Sequence, residues 1–150
     1  MTKRLYSTLA MLSLILMLAV VSVQAQSGMR VEVNIPFDFT LGNKTLPAGV
    51  YSIREYSQKS ILIMSADGKT RVLAMTPGTA RIEAGRGAAR ERVVFHQYGD
   101  QYFLAQVWMM RGSDGRELNQ SSAERQAAKE QKLASADAKL KEVEVAIRAR

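Results

Sequence analysis

The residue best suited to acid–base chemistry near neutral pH is the single histidine, His96. A histidine that acts as a general base needs a nucleophile and an orienting carboxylate beside it. The acid close to it in sequence, Asp100, belongs to a Gly99-Asp100 dipeptide with the composition of a turn. The chain contains no cysteine, which excludes thiol catalysis, disulfides and cysteine-bound zinc. We therefore predict no catalytic residue and a protein that is not an enzyme, with a hydrolase that uses His96 as the third-ranked alternative.

Four aspartates are candidate ligands for a hard cation: Asp38, Asp67, Asp100 and Asp114. None of them lies in the D-x-D-x-D spacing of a calcium loop, and three of the four adjoin glycine, as turns require. Phosphate-loop and dinucleotide motifs are also absent, since Gly85-Arg86-Gly87 is followed by Ala-Ala-Arg. We predict no metal site and no cofactor.

A glycine- and arginine-rich segment, followed by aromatic residues, is the strongest candidate for ligand binding. Arginines can bind phosphates in bidentate fashion, and exposed rings can stack on a sugar or a peptide. The candidate binding surface consists of Arg81, Arg86, Arg90, Arg92, Tyr98, Tyr102 and Trp108. The sequence favours a solvated loop for the arginines, because Glu83 and Glu91 dilute their charge, and core positions for the rings. No RNA-binding signature accompanies them, so we predict no specific nucleic acid partner.

The first 25 residues have the three parts of a secretory signal peptide. Lys3 and Arg4 form a cationic start, residues 9–21 are almost uniformly apolar, and Val23-Gln24-Ala25 precedes the expected cleavage site. We predict cleavage after Ala25 and a location in the periplasm or the medium, with an uncleaved membrane anchor as the alternative. Cleavage removes Lys3 and Arg4 and no acid, which lowers the net charge from +7 to +5. No apolar run of membrane length remains after it.

Residues 26–112 are predicted to form a β domain, because period-two alternation and turn signals recur along them. Apolar and polar residues alternate from Met29 to Ile35, and Leu46-Pro47-Ala48-Gly49 is a turn before the next strand. About seven short strands at this spacing predict a mainly β fold, either an antiparallel β-sandwich or a small barrel.

The clearest hairpin has Gly99-Asp100 as its two-residue turn. This turn pairs Phe95 with Leu104 and His96 with Phe103. The two faces of the hairpin then carry, respectively, Val93, Phe95, Leu104 and Trp108, and Val94, Phe103, Ala105 and Val107. Both faces are largely apolar, which predicts a central position in a sheet.

The composition changes near residue 113, and we predict a linker over 113–120 followed by an α-helix over 121–148. Ser121 and Glu124 have the spacing of a capping box, in which Ser121 caps the helix and Glu124 reaches back. Apolar residues spaced 3-4-3-4 form the partner-helix stripe: Leu133, Ala136, Leu140, Val143 and Ile147. The stripe predicts docking on the protein's own sheet, on an envelope component or protein partner, or on a second copy in a homodimer.

Several longer motifs stand out after residue 25. They are NIPFDF at 34–39, GNKTLPAGVY at 42–51, FHQYGDQYFL at 95–104, VW at 107–108, GREL at 115–118 and SAER at 122–125. Together they resemble a family of small exported bacterial proteins that has no assigned activity. The resemblance implies export and a common fold, and it implies no particular activity.

These features predict an exported structural or binding module of the cell envelope. A basic chain is suited to contact with anionic surfaces such as lipid headgroups or envelope polymers. A carbohydrate- or polyanion-binding β-sandwich is the alternative, and it predicts an exposed aromatic row or a clustered arginine patch.

Overall fold

The structure, a computed structural model, describes residues 30–80, 90–109, 115–134 and 139–147. Several predicted features lie outside these ranges: the signal peptide with its expected cleavage after Ala25, Arg81 and Arg86 of the candidate binding surface, Asp114 of the linker, and Ala136 of the partner-helix stripe. Within them, no helix has the length and hydropathy needed to cross a bilayer.

The described residues form eleven strands and one helix. In chain order they are β1 (Arg30–Ile35), β2 (Phe39–Leu41), β3 (Lys44–Leu46), β4 (Gly49–Ser57), β5 (Ser60–Ser65), β6 (Arg71–Met75), β7 (Gly78–Ala80), β8 (Arg92–Tyr98), β9 (Gln101–Trp108), β10 (Gly115–Glu117), α1 (Ser122–Ala134) and β11 (Lys141–Ala146). Four strands have only three residues, which is too short to produce a period-two pattern in the sequence.

The strands are arranged in two sheets. The first sheet has the order β1-β4-β5-β6, and its neighbours are antiparallel. The second sheet has the antiparallel order β11-β8-β9-β10-β7, and β2 joins it by a parallel pairing with β9 while pairing antiparallel with β3. This arrangement confirms the predicted mainly β, sandwich-like fold with a C-terminal helix, and the sheets do not form a closed barrel.

The hairpin of β8 and β9 has the predicted register at its tip, where Phe95 pairs with Leu104. A β-bulge follows, in which β9 contains one residue more than β8, and beyond it Val93 pairs with Val107. An extra residue moves the following side chains to the opposite face. Val107 therefore lies in the core between the sheets and Trp108 on the outer face, so the predicted faces of these two residues were wrong.

Aromatic rings from the NIPFDF segment connect the two sheets. Phe39 is in edge-to-face contact with Tyr51 of the first sheet, at 5.2 Å between ring centroids, and with Phe95 of the second sheet, at 5.4 Å. Phe37 meets Phe95 edge-on at 5.1 Å and stacks on Tyr102 at 4.0 Å. Each such pair contributes about 0.5–1.5 kcal/mol beyond the burial of its area.

The LPAG turn is fixed by two hydrogen bonds to its backbone. The Tyr51 hydroxyl donates to the Pro47 carbonyl at 2.7 Å, and the Asp38 carboxylate accepts from the Ala48 N–H at 2.7 Å. Burial, with the nearby charges of Asp38 and Asp67, raises the pKa of Tyr51 above its ordinary value. Asp38 therefore stabilises a turn, although it does not adjoin a glycine as the other three aspartates do.

The predicted helix over 121–148 is too long. The helix α1 ends at Ala134, and the chain continues as β11, which pairs antiparallel with β8. The partner-helix stripe does not exist as one helix face: Leu133 is 88% exposed at the end of α1, Leu140 lies just before β11, Val143 is on β11, and Ile147 is buried in the core between the sheets.

A second periodicity in the same residues explains this difference. Val143, Val145 and Ile147 also alternate with period two, and β-branched side chains favour strands. Without β11, the edge of β8 on the side away from β9 would be unpaired, and the strand added there satisfies its backbone hydrogen-bonding groups. Similarly, β10 occupies part of the predicted linker over 113–120.

Truncation of two stripe residues distinguishes a strand from a continuous helix. Ile147→Ala removes a side chain that is 8% exposed, and we expect it to lower the free energy of unfolding by about 2–4 kcal/mol. Leu133→Ala changes a side chain that is 88% exposed, and we expect a change within about 0.5 kcal/mol. Urea denaturation followed by circular dichroism measures both values. Equal losses would contradict the placement of Ile147 in the core and favour one shared helix face.

Candidate functional site

Helix α1 covers part of the outer face of the second sheet. Ala127, on the side of α1 that faces this sheet, packs against Tyr98 of β8 and Phe103 of β9. A cavity of about 660 Å³, which we call the helix pocket, lies beside the start of the helix. It is lined by Gly78, His96, Ala105, Glu117, Leu118, Asn119, Gln120, Glu124 and Arg125.

A histidine–glutamate pair forms one wall of the helix pocket. His96 Nδ1 and Glu124 Oε1 are 2.6 Å apart, and the two side chains are 16% and 4% exposed. Because a carboxylate accepts hydrogen bonds and does not donate them, Nδ1 carries the proton in this bond. The other ring nitrogen, Nε2, has no hydrogen-bond partner within the part of the chain that the structure describes. Nε2 is therefore the ring nitrogen that is open to a further hydrogen bond.

The local structure of the helix start places Glu124 beside His96. The Glu124 N–H donates to the Ser121 hydroxyl at 3.1 Å, which is the predicted helix cap. The carboxylate of Glu124 does not complete the capping box but binds His96, which corrects the second half of that prediction. A buried carboxylate needs a polar partner, and a negative charge is also stabilised near a helix N-terminus.

Tyr98 is the third member of this group. Its hydroxyl donates a long hydrogen bond of 3.5 Å to the same Glu124 oxygen. Burial, followed by the charge of Glu124 and the bond to it, raises the pKa of the Tyr98 hydroxyl above its ordinary value of 10.0. One carboxylate on the helix thus accepts hydrogen bonds from two side chains of β8.

The segment that leads from β10 into α1 forms another part of the lining of the helix pocket. The Leu118 N–H donates to the Ala105 carbonyl at 2.9 Å, which holds this segment against β9. Arg125 Nη1 donates to the Gln120 carbonyl at 2.7 Å. The pocket therefore combines a small apolar floor with imidazole, amide, guanidinium and carboxylate groups, so that it offers both donors and acceptors.

The aromatic part of the candidate binding surface is not an exposed row. Trp108 is 2% exposed and Tyr98 is 9% exposed, while Tyr102 is half-buried and stacks on Phe37. A Cβ atom on Gly115 would lie 2.6 Å from Trp108 Cε2, so only glycine lets β10 pass this close to the indole. These rings occupy packed positions, as the sequence favoured, and do not form a stacking platform.

The two described arginines of the candidate binding surface, Arg90 and Arg92, have different environments. The Arg92 guanidinium lies 4.6 Å from the centroid of the Trp108 ring and forms an ion pair with Glu144 of β11 at 3.1 Å. Arg92 thereby fastens β11 to the sheet. Arg90 is exposed, and the other two arginines lie outside the described residues.

Two further aspartates of the sequence analysis lie in turns. Asp67 accepts hydrogen bonds from the Ser65 hydroxyl and, at 3.1 Å, from the Lys69 N–H. These bonds lower the pKa of the exposed Asp67 carboxyl. Asp100 lies in the turn between β8 and β9. Their positions agree with a role in turn formation.

Sequence reasoning identified His96 and missed its carboxylate. Glu124 already had a complete local explanation as a capping residue, and the pair is separated by 28 positions in the chain. A signal was present, because Glu124, Ala127 and Ala128 have the i, i+3, i+4 spacing of one helix face with small residues suited to close packing on a sheet.

Comparison with protein-family models, curated protein sequences and solved structures finds no match to this chain. The resemblance to small exported bacterial proteins therefore stays a prediction.

A double-mutant cycle measures the energy of the histidine–glutamate pair. His96→Ala leaves a buried carboxylate without its main partner, and Glu124→Ala leaves an imidazole N–H unbonded. We expect each change to lower the free energy of unfolding by about 2–3 kcal/mol, and the double variant to lose less than the sum by about 1.5–3 kcal/mol. Urea denaturation at neutral pH gives these values. A control cycle of Glu124→Ala with Arg71→Ala, an exposed residue of the first sheet, should be additive; additivity in both cycles would contradict the pairing.

Alkaline destabilisation tests the environment of Tyr98. The native pKa lies above the unfolded value, so the unfolded chain loses this proton first as the pH rises. The contribution of Tyr98 to stability is therefore complete below about pH 10 and is lost above it. We expect the unfolding free energy of Tyr98→Phe to fall less steeply above pH 10 than that of the wild type. Tyr56→Phe, at a side chain that is 63% exposed, is the matched control and should follow the wild-type slope.

Proposed function

We propose that the protein is an exported, non-enzymatic binding module of the cell envelope that holds a small, neutral, polyhydroxylated ligand in the helix pocket. A mono- or disaccharide is the ligand class that best fits this description. The observation that carries the proposal is the polar lining of the pocket around the histidine–glutamate pair.

Sugar hydroxyls both donate and accept hydrogen bonds, and the lining offers partners of both kinds. Asn119 and Gln120 supply amides, Arg125 supplies donors only, and Glu117 supplies acceptors only. Leu118 and the small residues beside it provide an apolar surface for the C–H face of a sugar ring. The volume of about 660 Å³ falls within the range of about 300–1,000 Å³ that is common for small-molecule sites.

The two serines that precede and begin the helix support a non-enzymatic role. The Ser121 hydroxyl accepts a hydrogen bond from the helix backbone, and the Ser122 hydroxyl is 3.0 Å from Asn43 Oδ1. Asn43 accepts the Ser122 proton, and within the described residues no hydrogen bond joins either serine hydroxyl to His96, so neither serine is paired with the imidazole as a nucleophile is with its base. Export is supported by the three-part pattern of the first 25 residues.

A hydrolase is the second candidate function, because His96 lies beside an acid in a cleft. A carboxylate that binds Nδ1 orients the imidazole so that Nε2 can act as a base toward water or a substrate hydroxyl. This arrangement is the one that the hydrolase alternative requires, and turnover of a bound ligand separates it from simple binding.

The proposal is tested with protein collected from the exported fraction, whose start at Gln26 is checked by mass spectrometry. Isothermal titration calorimetry with N-acetylglucosamine, glucose and maltose should detect saturable binding of at least one sugar. Asn119→Ala should weaken that binding about tenfold, and Arg71→Ala on the first sheet should leave it unchanged.

Failure of every sugar to bind, or equal binding by the Asn119 variant, would overturn the ligand assignment. Release of a product from a bound glycoside, lost in His96→Gln, would replace the binding role with the hydrolase. A chain that is retained in the cell and keeps its first 25 residues would overturn the assignment to the envelope.

A further inference from the structure

The outer face of the first sheet lies on the opposite side of the sandwich from the helix pocket. Ile61 and Ile63 of β5 are in the core, so their neighbours along the strand face outward. Register then places Leu73 of β6 beside Leu62, and Arg71 beside Met64, on this outer face. Arg54 of β4 lies beside Leu62 on the other side.

This face exposes large apolar side chains. Leu73 and Met75 of β6 are 52% and 61% exposed, and Val50 of β4 is 43% exposed. Three of the six exposed large apolar residues that the structure describes therefore lie on this one face. Such clustering on one surface marks an interaction site, whereas isolated exposed apolar residues are ordinary.

Arginines accompany the apolar side chains. Arg30, Arg54 and Arg71 lie on the strands of this sheet and are exposed, and Arg30 pairs with Arg54 in the register of β1 and β4. Among the described residues of this sheet, the acidic side chain on the same face is Glu32, which is 3.9 Å from Arg30. Glu55, on the opposite face of β4, forms an ion pair with Arg116. The outer face therefore combines a net positive charge with exposed apolar groups, and we call it the arginine face.

We propose that the arginine face docks on the surface of an anionic phospholipid bilayer. Leu73 and Met75 lie on the edge strand and can enter the boundary between headgroups and acyl chains, while the arginines bind lipid phosphates. A soluble polyanion would use the arginines and leave the apolar side chains exposed. A second copy would bring arginines of like charge together across a two-fold axis, which opposes pairing.

This inference rests on the proposed export to the envelope and is independent of sugar binding. Because the helix pocket opens on the other side of the sandwich, a docked protein keeps the pocket accessible. The two surfaces can therefore be tested separately on the same protein.

The test measures binding to phosphatidylcholine vesicles with and without phosphatidylglycerol, by co-sedimentation. It uses the chain from Gln26, which contains every residue of both described cores. The apolar N-terminal segment is left out because it would bind vesicles by itself. We expect binding only to vesicles that contain phosphatidylglycerol. Arg54→Ser/Arg71→Ser should lower the affinity about 25-fold, at about fivefold for each arginine near the surface.

The apolar contribution has its own variant and control. Leu73→Ser/Met75→Ser should lower the vesicle affinity about tenfold or more at unchanged charge. Lys129→Ser/Lys132→Ser removes two exposed charges from α1 on the far side and should change the affinity less than about twofold. Circular dichroism confirms the fold of each variant.

Three outcomes would overturn the proposal. Equal losses in the arginine and lysine variants would indicate attraction by overall charge alone. Full binding by the Leu73/Met75 variant would indicate a polyanion site instead of a bilayer surface. Absence of vesicle binding while sugar binding persists would remove the docking surface and leave the function of the helix pocket intact.

Discussion

The ring of Phe39 touches Tyr51 in the first sheet and Phe95 in the second, and the arrangement of the described sandwich depends on that contact. The chain has no cysteine, so no disulfide can fasten the sheets, and packing between them must hold the protein together. The ion pair of Arg116 with Glu55 and its hydrogen bond of 2.9 Å to the Gln58 carbonyl add a lateral connection between the sheets. These polar contacts are partly exposed, and the buried rings carry more of the stability.

The position of the helix pocket depends on this core. Thr40, next to Phe39, pairs with Phe103 of β9, and the Phe103 side chain on the other face packs against Ala127 of the helix. The strand that carries His96 is central, since it has β9 on one edge and β11 on the other. A histidine on such a strand has little freedom to move, and the carboxylate of Glu124 fixes the rotation of its ring. The pair therefore depends on strands from both ends of the described chain.

Local signals made part of this structure predictable, and the failures have specific causes. The two-residue turn with Gly99 at φ 61° determined the register at the hairpin tip, because such turns admit one pairing. The bulge that moved Val107 and Trp108 left a single signal, Gln106, which would otherwise place a polar side chain on the apolar face of Leu104; the apolar residues on both faces of the hairpin hide the change of phase. The apolar residues from Leu133 to Ile147 fit both a helical and a strand period, and only the pairing of β11 with the edge of β8 decides between them. Glu124 contacts His96 because the helix packs on the sheet, and a local capping pattern carries no information about that packing.

The two sheets differ in how the apolar side chains on their outer faces are shielded from water. The second sheet presents Trp108, Phe103 and Tyr98 outward, and these rings are buried by the helix, by β10 and by the side chain of Arg92. The first sheet buries small outward residues such as Ser52 and leaves Leu73 and Met75 exposed on its edge strand. Exposed apolar groups on an edge strand invite aggregation unless charge or a partner surface protects them. The arginines beside them supply that charge in solution and, on an anionic bilayer, the attraction that would bring the same apolar groups out of water.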